Sequence, residues 1–219
     1  MAKSRVTILG AGNLGAALGR GLAAAGYPVT FGVRDAAGGR DAVKGGTPVG
    51  ARVTGLAESV TDADIVILAT PAGAIEDVLN ALGAALDNRI VVDATNAVGA
   101  GLHVISREGG ASHAEMTADH LRTAAPRARV VKSFNQVGAN VVASAPSFAP
   151  PPAMGVAGDD AEARRVVMTL AKDLGFEPFD AGPLERAREL ESFAMLWIAL
   201  SAYAGANLGR EFAFAIVRR

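Results

Sequence analysis

The fold of this chain is decided by the stretch VTILGAGNLG, residues 6–15. Four apolar residues typical of a buried strand lead directly into three glycines spaced G-x-G-x-x-G, and a helix-like segment follows. Gly10 permits a tight turn, Gly12 lets the backbone approach a pyrophosphate, and Gly15 lets the helix pack closely on the strand. The first helical turn would point its amide groups at the anion. The stretch predicts a dinucleotide-binding turn, although a plain strand-to-helix turn in a glycine-rich chain has the same letters.

Short apolar runs continue through the first two thirds of the sequence and alternate with helix-like segments. Each run is rich in β-branched residues without in/out alternation, which is typical of strands covered on both faces. The runs are Val6–Leu9, Val29–Gly32, Ile65–Ala69, Ile90–Asp93 and Val130–Phe134. Between them we expect helices over Gly15–Ala25, over Ala72–Leu86, and from a capping box at Ser112 to about Ala125. The rhythm predicts an α/β fold with a Rossmann-type doubly wound parallel sheet.

A proline cluster divides the chain. Four of the ten prolines fall between Pro146 and Pro152, where neither a helix nor an inner strand can continue. We therefore predict a dinucleotide-binding domain at residues 1–145 and a small C-terminal α/β region at residues 146–219, which would supply the acceptor site and a dimer contact. The pattern of this second region predicts, in order, a strand at Ala153–Ala157, a helix from Gly158-Asp-Asp160 to Leu174, a strand at Phe176–Asp180 and a long helix from Pro183.

Composition and charge exclude several classes of protein. The 219 residues include 21 Lys and Arg against 22 Asp and Glu, so no positive field attracts nucleic acid or an anionic membrane surface. The absence of cysteine excludes disulfides, thiolate nucleophiles and iron–sulfur clusters. The sequence shows no signal peptide, and its longest apolar stretch, Ala194–Ala206, is too short to span a membrane. We expect a cytoplasmic protein whose redox chemistry, if any, uses a bound cofactor.

The end of the second strand indicates which dinucleotide is bound. In this fold, an acidic residue here accepts hydrogen bonds from the ribose 2′-hydroxyl of NAD. The first polar residue is instead Arg34, whose planar cation can pair with a 2′-phosphate. Asp35 is adjacent and can either hold Arg34 or cap the next segment. The pattern favours NADP over NAD.

Three further strand ends face the cofactor crevice in this topology: Thr70-Pro71, Thr95-Asn96 and Ser133-Phe-Asn135. They offer hydroxyls and amides but no group that titrates near neutral pH. Dehydrogenases of alcohols or hydroxy acids need a proton acceptor such as His, Lys or Tyr. Lys132 alternates away from Ser133, and we interpret it as a solvated or strand-flanking side chain. We therefore expect no catalytic side chain, and a protein that orients the reacting groups.

Two other patterns are interpreted as structural. His103, His113 and His120 lack the i, i+3 or i, i+4 spacing with which two helix side chains meet one ion, so we predict surface histidines and no metal site. An apolar stripe at helical spacing in the last helix predicts core or a homodimer interface. Its members are Phe193, Leu196, Trp197 and Leu200.

Two segments make the chain resemble the NADPH-dependent reductases of coenzyme F420, whose domain recurs in metalloreductases that use flavin. They are GAGNLGAALGRGLAAAGYPVTFGVRD at residues 10–35 and GDDAEARRVVMTLAKDLGFEPFDAGPLERARELE at residues 158–191. The resemblance covers nearly the whole length and implies NADP(H) with coenzyme F420, FMN or FAD as the hydride partner. It also implies the contacts to the pyrophosphate, the adenosine phosphate and the nicotinamide end, which are Ala11, Gly12, Asn13 and Leu14, then Val33 and Arg34, then Thr70, Asn96 and Ser133.

The chain departs from this family at two places. Val33 replaces a serine that precedes the arginine, which removes a hydroxyl donor and leaves Arg34, with Arg40 or Lys44, to hold the phosphate. The deazaflavin enzymes carry an Ile-Pro-Ala type segment after the sixth strand, whereas residues 133–140 read SFNQVGAN, closer to the flavin-using relatives. The first departure weakens the preference for NADP, and the second leaves the hydride partner open.

The main hypothesis is an oxidoreductase that moves hydride between NADP(H) and a deazaflavin or flavin, as a homodimer. One alternative is an NADPH-dependent reductase of a small imine or keto metabolite, which is disfavoured because such enzymes need a larger helical domain than residues 146–219 provide. The other is a non-catalytic NADP-binding redox sensor, which would bind NADP tightly and turn over no acceptor.

Overall fold

The structure, a computed structural model, describes residues 2–37, 42–96, 110–202 and 208–219. Within these ranges the chain forms eight strands and seven α-helices. The strands are β1 (Val6–Leu9), β2 (Val29–Val33), β3 (Arg52–Gly55), β4 (Ile65–Leu68), β5 (Ile90–Asp93), β6 (Arg129–Lys132), β7 (Ala153–Gly158) and β8 (Glu177–Gly182). The helices are α1 (Asn13–Ala24), α2 (Leu56–Ser59), α3 (Ile75–Leu82), α4 (His113–Ala124), α5 (Ala139–Ser144), α6 (Ala161–Asp173) and α7 (Ala187–Ala202).

All eight strands belong to one sheet, in the order β3-β2-β1-β4-β5-β6-β7-β8. Strands β1 to β6 are parallel, β7 is antiparallel to β6, and β8 is parallel to β7. The strand order reverses at β1, between β2 and β4, and this opens a crevice beyond the carboxyl ends of the strands, where such folds bind ligands. The predicted Rossmann-type doubly wound sheet is confirmed.

Both faces of the inner strands are covered, because every residue of β1, β4 and β5 is buried. Successive side chains of a strand point to opposite faces, so Ile8 packs in the cluster under α1, α5 and α6, and Leu9 packs in the cluster under α3 and α4. Gly19 of α1 lies so close to the Phe31 ring that a Cβ would collide with it. Small residues therefore let α1 lie directly on the sheet.

Three elements were not predicted from the sequence. Strand β3 lies at the sheet edge, begins at the exposed Arg52 and has no fully buried residue, so it lacks the apolar run that marks the inner strands. The one-turn helix α2 follows it directly. Helix α5 is short, at six residues, and follows Gly138 without a side-chain cap. Each of these elements depends on tertiary contacts more than on a local pattern.

Two predicted helices have different bounds. The single helix expected over Ala72–Leu86 is divided into a 3₁₀ turn, helix α3 and a second 3₁₀ turn. The division follows α3 because Gly83 adopts a φ of 44°, which an α-helix does not tolerate. Helix α7 begins at Ala187 rather than at Pro183, after an intervening 3₁₀ turn.

The residues after the proline cluster extend the same sheet, because β7 pairs with β6. The boundary predicted between residues 145 and 146 falls in the 3₁₀ turn Ala145–Ser147. Phe214 returns to β7, where its carbonyl oxygen accepts the Ala153 amide at 2.8 Å. One sheet therefore joins the two predicted regions.

Residues 208–219, which we call the C-terminal tail, cover part of the apolar stripe of α7. Trp197 is buried and its Nε1 donates to the carbonyl oxygen of Phe212 at 2.9 Å. The rings of Phe193 and Phe214 lie 4.8 Å apart, whereas Leu196 is 48% exposed. The tail therefore covers Phe193 and Trp197, which are two of the four residues of the stripe. No helix in the described ranges is both long and apolar enough to cross a membrane, and the cytoplasmic location stays a prediction.

Candidate functional site

The three glycines of the first turn have different surroundings. Gly10 has a φ of 109°, and a Cβ there would lie 2.6 Å from the carbonyl oxygen of Ala69, next to β4. A Cβ at Gly15 would collide with the Gly10 carbonyl oxygen. A Cβ at Gly12 would meet no atom within 4 Å. The fold therefore requires Gly10 and Gly15, whereas Gly12 faces open space.

Helix α1 begins at this open space without a side-chain cap. Gly12 is its N-cap residue, and the first turn contains no acidic side chain. Residues 42–46 lie beside the turn, because the Lys44 amide donates to the Ala11 carbonyl oxygen at 2.9 Å and the Arg20 guanidinium donates to the Lys44 carbonyl oxygen at 2.8 Å. Amide donors, the positive end of the helix dipole and two nearby cations make this end of the site suited to an anion.

Arg34 follows β2 in an exposed position and has no hydrogen bond or ion pair with the residues that the structure describes. Asp35 does not hold it, since its carboxylate accepts the Ala37 amide at 2.9 Å and caps the following turn. Val33 is half-buried at the end of β2. Arg40 lies outside the described residues. The Arg34 guanidinium is therefore available to an external anion.

A cavity of about 650 Å³ connects the start of α1 with the ends of β5 and β6 and with α7. Its lining residues include Asn13, Leu14, Arg20 and Lys44 near α1, Ala94, Asn96, Asn135 and Val137 at the strand ends, and Asn140, Trp197, Ile198, Arg210 and Glu211 on the opposite side. Of the predicted site residues, Asn13, Leu14 and Asn96 share this cavity. The structure adds a wall from α5, α7 and the C-terminal tail.

Asn96 and Asn135 form a reciprocal pair at the ends of β5 and β6. Asn96 Nδ2 donates to the Asn135 carbonyl oxygen at 2.7 Å, and Asn135 Nδ2 donates to Asn96 Oδ1 at 2.9 Å. Asn135 also donates to the Leu190 carbonyl oxygen on α7 and accepts from Gln136 Nε2. The buried Phe134 has a φ of 61°, a conformation that costs a bulky residue about 1–3 kcal/mol. These contacts hold the Asn135 amide in one orientation.

Eight of the eleven predicted site residues do not line the cavity itself: Gly10, Ala11, Gly12, Gly15, Val33, Arg34, Thr70 and Ser133. Ser133 is fully buried and its Oγ donates to the Gly155 carbonyl oxygen on β7 at 3.1 Å, so the expected contact with a nicotinamide does not fit its position. Thr70 follows β4, and its Oγ1 is buried without a partner among the described residues. A buried hydroxyl without a partner at the edge of the crevice is a group that a bound ligand would satisfy.

Lys132 is fully buried, and its interpretation as a solvated side chain is wrong. Its ammonium lies 2.6 Å from the Thr95 carbonyl oxygen, 2.7 Å from Glu191 Oε1 and 3.2 Å from Asp93 Oδ1. Burial alone would raise the pKa of Asp93, but the Lys132 charge and the hydrogen bonds from Thr95 outweigh burial and lower it. We call Asp93, Lys132 and Glu191 the buried ion cluster. It has an ionised aspartate at its centre.

The histidines also differ from expectation. His113 is 5% exposed rather than a surface residue, and its backbone amide donates to Glu191 Oε1 at 2.8 Å. His120 is half-buried on the same helix, and His103 lies outside the described residues. In the part of the chain that the structure describes, no three His, Asp or Glu side chains are grouped so as to hold a metal ion.

Residues 5–97 match the family described as NADP oxidoreductase, coenzyme F420-dependent. The structure of a protein proposed to be an F420-dependent NADP reductase, from Arthrobacter sp. FB24, is similar with a TM-score of 0.84 and 28% identity over 98% of this chain and 100% of that one. The metalloreductase STEAP3 of Rattus norvegicus is 28% identical over 191 residues, which are 87% of this chain. This chain spans 36% of the length of that relative.

A reductive aminase from Aspergillus terreus shares the fold alone, at 19% identity and a TM-score of 0.66 over 93% of this chain and 63% of that one. The family match contains the glycine turn, Arg34 and the ends of β4 and β5. It therefore includes most of the residues from which the cofactor contacts were predicted. These findings confirm the resemblance to the F420-dependent NADP oxidoreductases, whose family model matches residues 5–97.

Proposed function

We propose that this protein transfers hydride between NADP(H) and a planar acceptor ring, either coenzyme F420 or a flavin such as FMN or FAD. One observation carries the proposal. A single cavity of about 650 Å³ extends from the uncapped start of α1, past the Asn96–Asn135 pair, to Trp197. Its volume lies in the range of cofactor sites. Hydride transfer needs the reacting ends of two partners side by side, and one continuous cavity offers a place where those two ends can meet.

The residues present fit NADP(H). Gly12 leaves open space where a pyrophosphate would lie, and the first turn of α1 offers amide donors. Arg34 would bind the 2′-phosphate by charge-assisted hydrogen bonds, since Val33 supplies no hydroxyl. The buried Thr70 hydroxyl, which has no partner among the described residues, would form a hydrogen bond with the nicotinamide end of the cofactor. When bound, NADP(H) supplies the hydride chemistry, and these residues bind and orient it.

Two similarities and one wall of the cavity support a ring acceptor. The Arthrobacter relative is named for coenzyme F420, and the rat relative is named a metalloreductase. Because this chain spans about a third of the rat protein, the similarity concerns only that part of it. The cavity is lined by Ile198 and by the edge of the buried Trp197, and this apolar wall is suited to packing against a flat ring.

The strand-end groups are suited to orienting a ligand rather than to proton transfer. Asn96 and Asn135 do not titrate near neutral pH. The Lys132 ammonium is buried and lies within 3.2 Å of three oxygens of the protein, from Thr95, Asp93 and Glu191. Within the described ranges, Glu211 of the tail is the carboxylate that lines the cavity. We therefore propose that acceleration comes mainly from holding the two rings at reacting distance.

NADPH oxidation, followed with coenzyme F420, FMN, FAD and ferric chelates as acceptors, tests this function. A set of small imines and keto compounds serves as the comparison panel. We expect turnover with F420 or a flavin and none with the comparison panel. Turnover confined to imines or keto compounds would establish the metabolite reductase, and tight NADP binding without any turnover would establish the redox sensor.

The open space at Gly12 predicts that Gly12→Val abolishes dinucleotide binding but leaves the protein folded, because the side chain would enter the pyrophosphate site and its Cβ would meet no protein atom within 4 Å. Calorimetry measures binding and circular dichroism measures folding. Gly15→Ala is the contrasting variant and should lower stability, since its Cβ collides with Gly10. Near wild-type affinity in Gly12→Val would exclude the glycine turn from the site.

Arg34→Ala should weaken NADPH binding by about ten- to a hundredfold, because a charge-assisted hydrogen bond to a phosphate contributes about 1.5–3 kcal/mol. The affinity for NADH should change little. Titration calorimetry with both dinucleotides gives the ratio, and Arg122→Ala, an exposed arginine on α4, is the control. Equal losses for the two dinucleotides would show that the 2′-phosphate is bound elsewhere.

We also predict a homodimer that uses the exposed part of the α7 stripe, where Leu196 remains 48% exposed. Light scattering at micromolar concentration measures the mass. Leu196→Glu should give a monomer, whereas Val49→Glu, at an exposed apolar residue in a loop, should not change the mass. A monomeric wild-type protein would contradict the prediction.

A further inference from the structure

The residues of the buried ion cluster are close in sequence to Asn96, to Asn135 and to Leu190, the residue of α7 that Asn135 contacts. Thr95, whose carbonyl oxygen accepts from Lys132, directly precedes Asn96. Lys132 itself lies three residues before Asn135. Glu191 follows Leu190, whose carbonyl oxygen accepts from Asn135 Nδ2 at 3.1 Å. The cluster therefore contacts all three segments from which the amide pair is built.

Asp93 fixes the first of these segments. Its Oδ1 accepts the Thr95 amide at 2.8 Å and the Thr95 hydroxyl at 2.7 Å, and its Oδ2 accepts the Thr117 hydroxyl at 3.2 Å. The chain turns out of β5 at this point, and both the backbone and the side chain of Thr95 are held. The direction in which Asn96 leaves the strand is thereby set.

Glu191 fixes the third segment. Its Oε1 forms an ion pair with the Lys132 ammonium at 2.7 Å and accepts a hydrogen bond from the His113 backbone amide at 2.8 Å. His113 is the first residue of α4, so the carboxylate lies at the positive end of that helix dipole. The cluster has two carboxylates and one ammonium, and this helix end stabilises the excess negative charge.

Stability alone does not account for such a cluster, because apolar residues of similar volume replace many buried ion pairs without loss. Apolar residues at these three positions would make no directional hydrogen bonds to the Thr95 carbonyl oxygen or to the backbone amide at the start of α4. We infer that Lys132, together with Asp93 and Glu191, is a positioning residue. It holds the Asn96–Asn135 pair and the part of α7 that lines the cavity in a fixed relative position. As far as turnover is concerned, the inference rests on the proposed function.

The double variant Asp93→Asn/Lys132→Met tests this inference. It removes one positive and one negative charge, so the net charge of the site is unchanged, and the amide introduced at position 93 keeps an oxygen for the Thr95 backbone N–H. We expect a folded protein in which hydrogen exchange of the Asn96 and Asn135 side-chain amides, followed by nuclear magnetic resonance, is at least tenfold faster. With the best acceptor, kcat should fall about ten- to a hundredfold, while NADPH affinity stays within about threefold.

Two controls separate positioning from general destabilisation. Tyr27→Phe removes a half-buried hydrogen bond to Asp173 and should leave both amide exchange rates and kcat unchanged. Glu191→Gln keeps an oxygen for Lys132 and for the His113 amide and should behave like wild type, whereas Glu191→Ala should resemble the double variant. If the double variant does not fold, this Glu191 pair decides the question.

Unchanged amide exchange and unchanged kcat in the folded double variant, or in Glu191→Ala, would overturn the inference. Equal losses in Glu191→Gln and Glu191→Ala would also overturn it. The exchange measurement needs no cofactor and no acceptor. It therefore separates a failure of the positioning role from a failure of the proposed hydride transfer, which NADPH binding and the acceptor panel report on independently.

Discussion

The Lys132 ammonium is a charge with no access to water, and the carboxyl edge of the sheet is arranged around that constraint. A buried cation requires oxygens and negative charge from the protein itself. Asp93 of β5, Glu191 of α7 and the Thr95 carbonyl oxygen after β5 supply these groups. Glu191 is held in turn by a hydrogen bond from the His113 amide at the start of α4. The last helix of the chain is therefore connected to the ends of β5 and β6, which line the same cavity as the start of α1.

The other half of the site depends on backbone rather than on side chains. Because Gly10 and Gly15 allow β1, β4 and α1 to approach within van der Waals contact, the first turn of α1 is brought to the crevice with its amides uncapped. Few side chains could serve there, since a Cβ at either position would collide with a carbonyl group. In the function that we propose, the pyrophosphate would therefore be bound mainly by the main chain, and Arg34 would distinguish NADP from NAD.

The sequence predicts a feature of the fold where only one type of residue fits the local geometry. The glycine spacing and the apolar runs predict β1, α1 and the parallel order of the strands, because only glycine fits those contacts and only doubly covered strands lack alternation. Lys132 shows where this reasoning fails. Alternation along β6 places it opposite Ser133, but in a sheet covered on both faces the opposite face is also interior. The partners Asp93 and Glu191 are 39 and 59 residues away, and no local pattern connects them to Lys132.

The two ends of the cavity differ in how readily evolution or design could alter them. Where we propose that the dinucleotide binds, the protein offers mainly main-chain amides beside Gly10 and Gly15, at which a Cβ would collide with a carbonyl group. At the opposite end the wall is made of side chains, since Asn140 donates to Glu211 at 3.0 Å and to the Arg210 carbonyl, and Trp197 donates to Phe212. Those residues come from α5, α7 and the tail, outside the segment that matches the family. In the function that we propose, the acceptor would therefore be selected mainly by side chains of the last third of the chain, outside the segment that matches the family model.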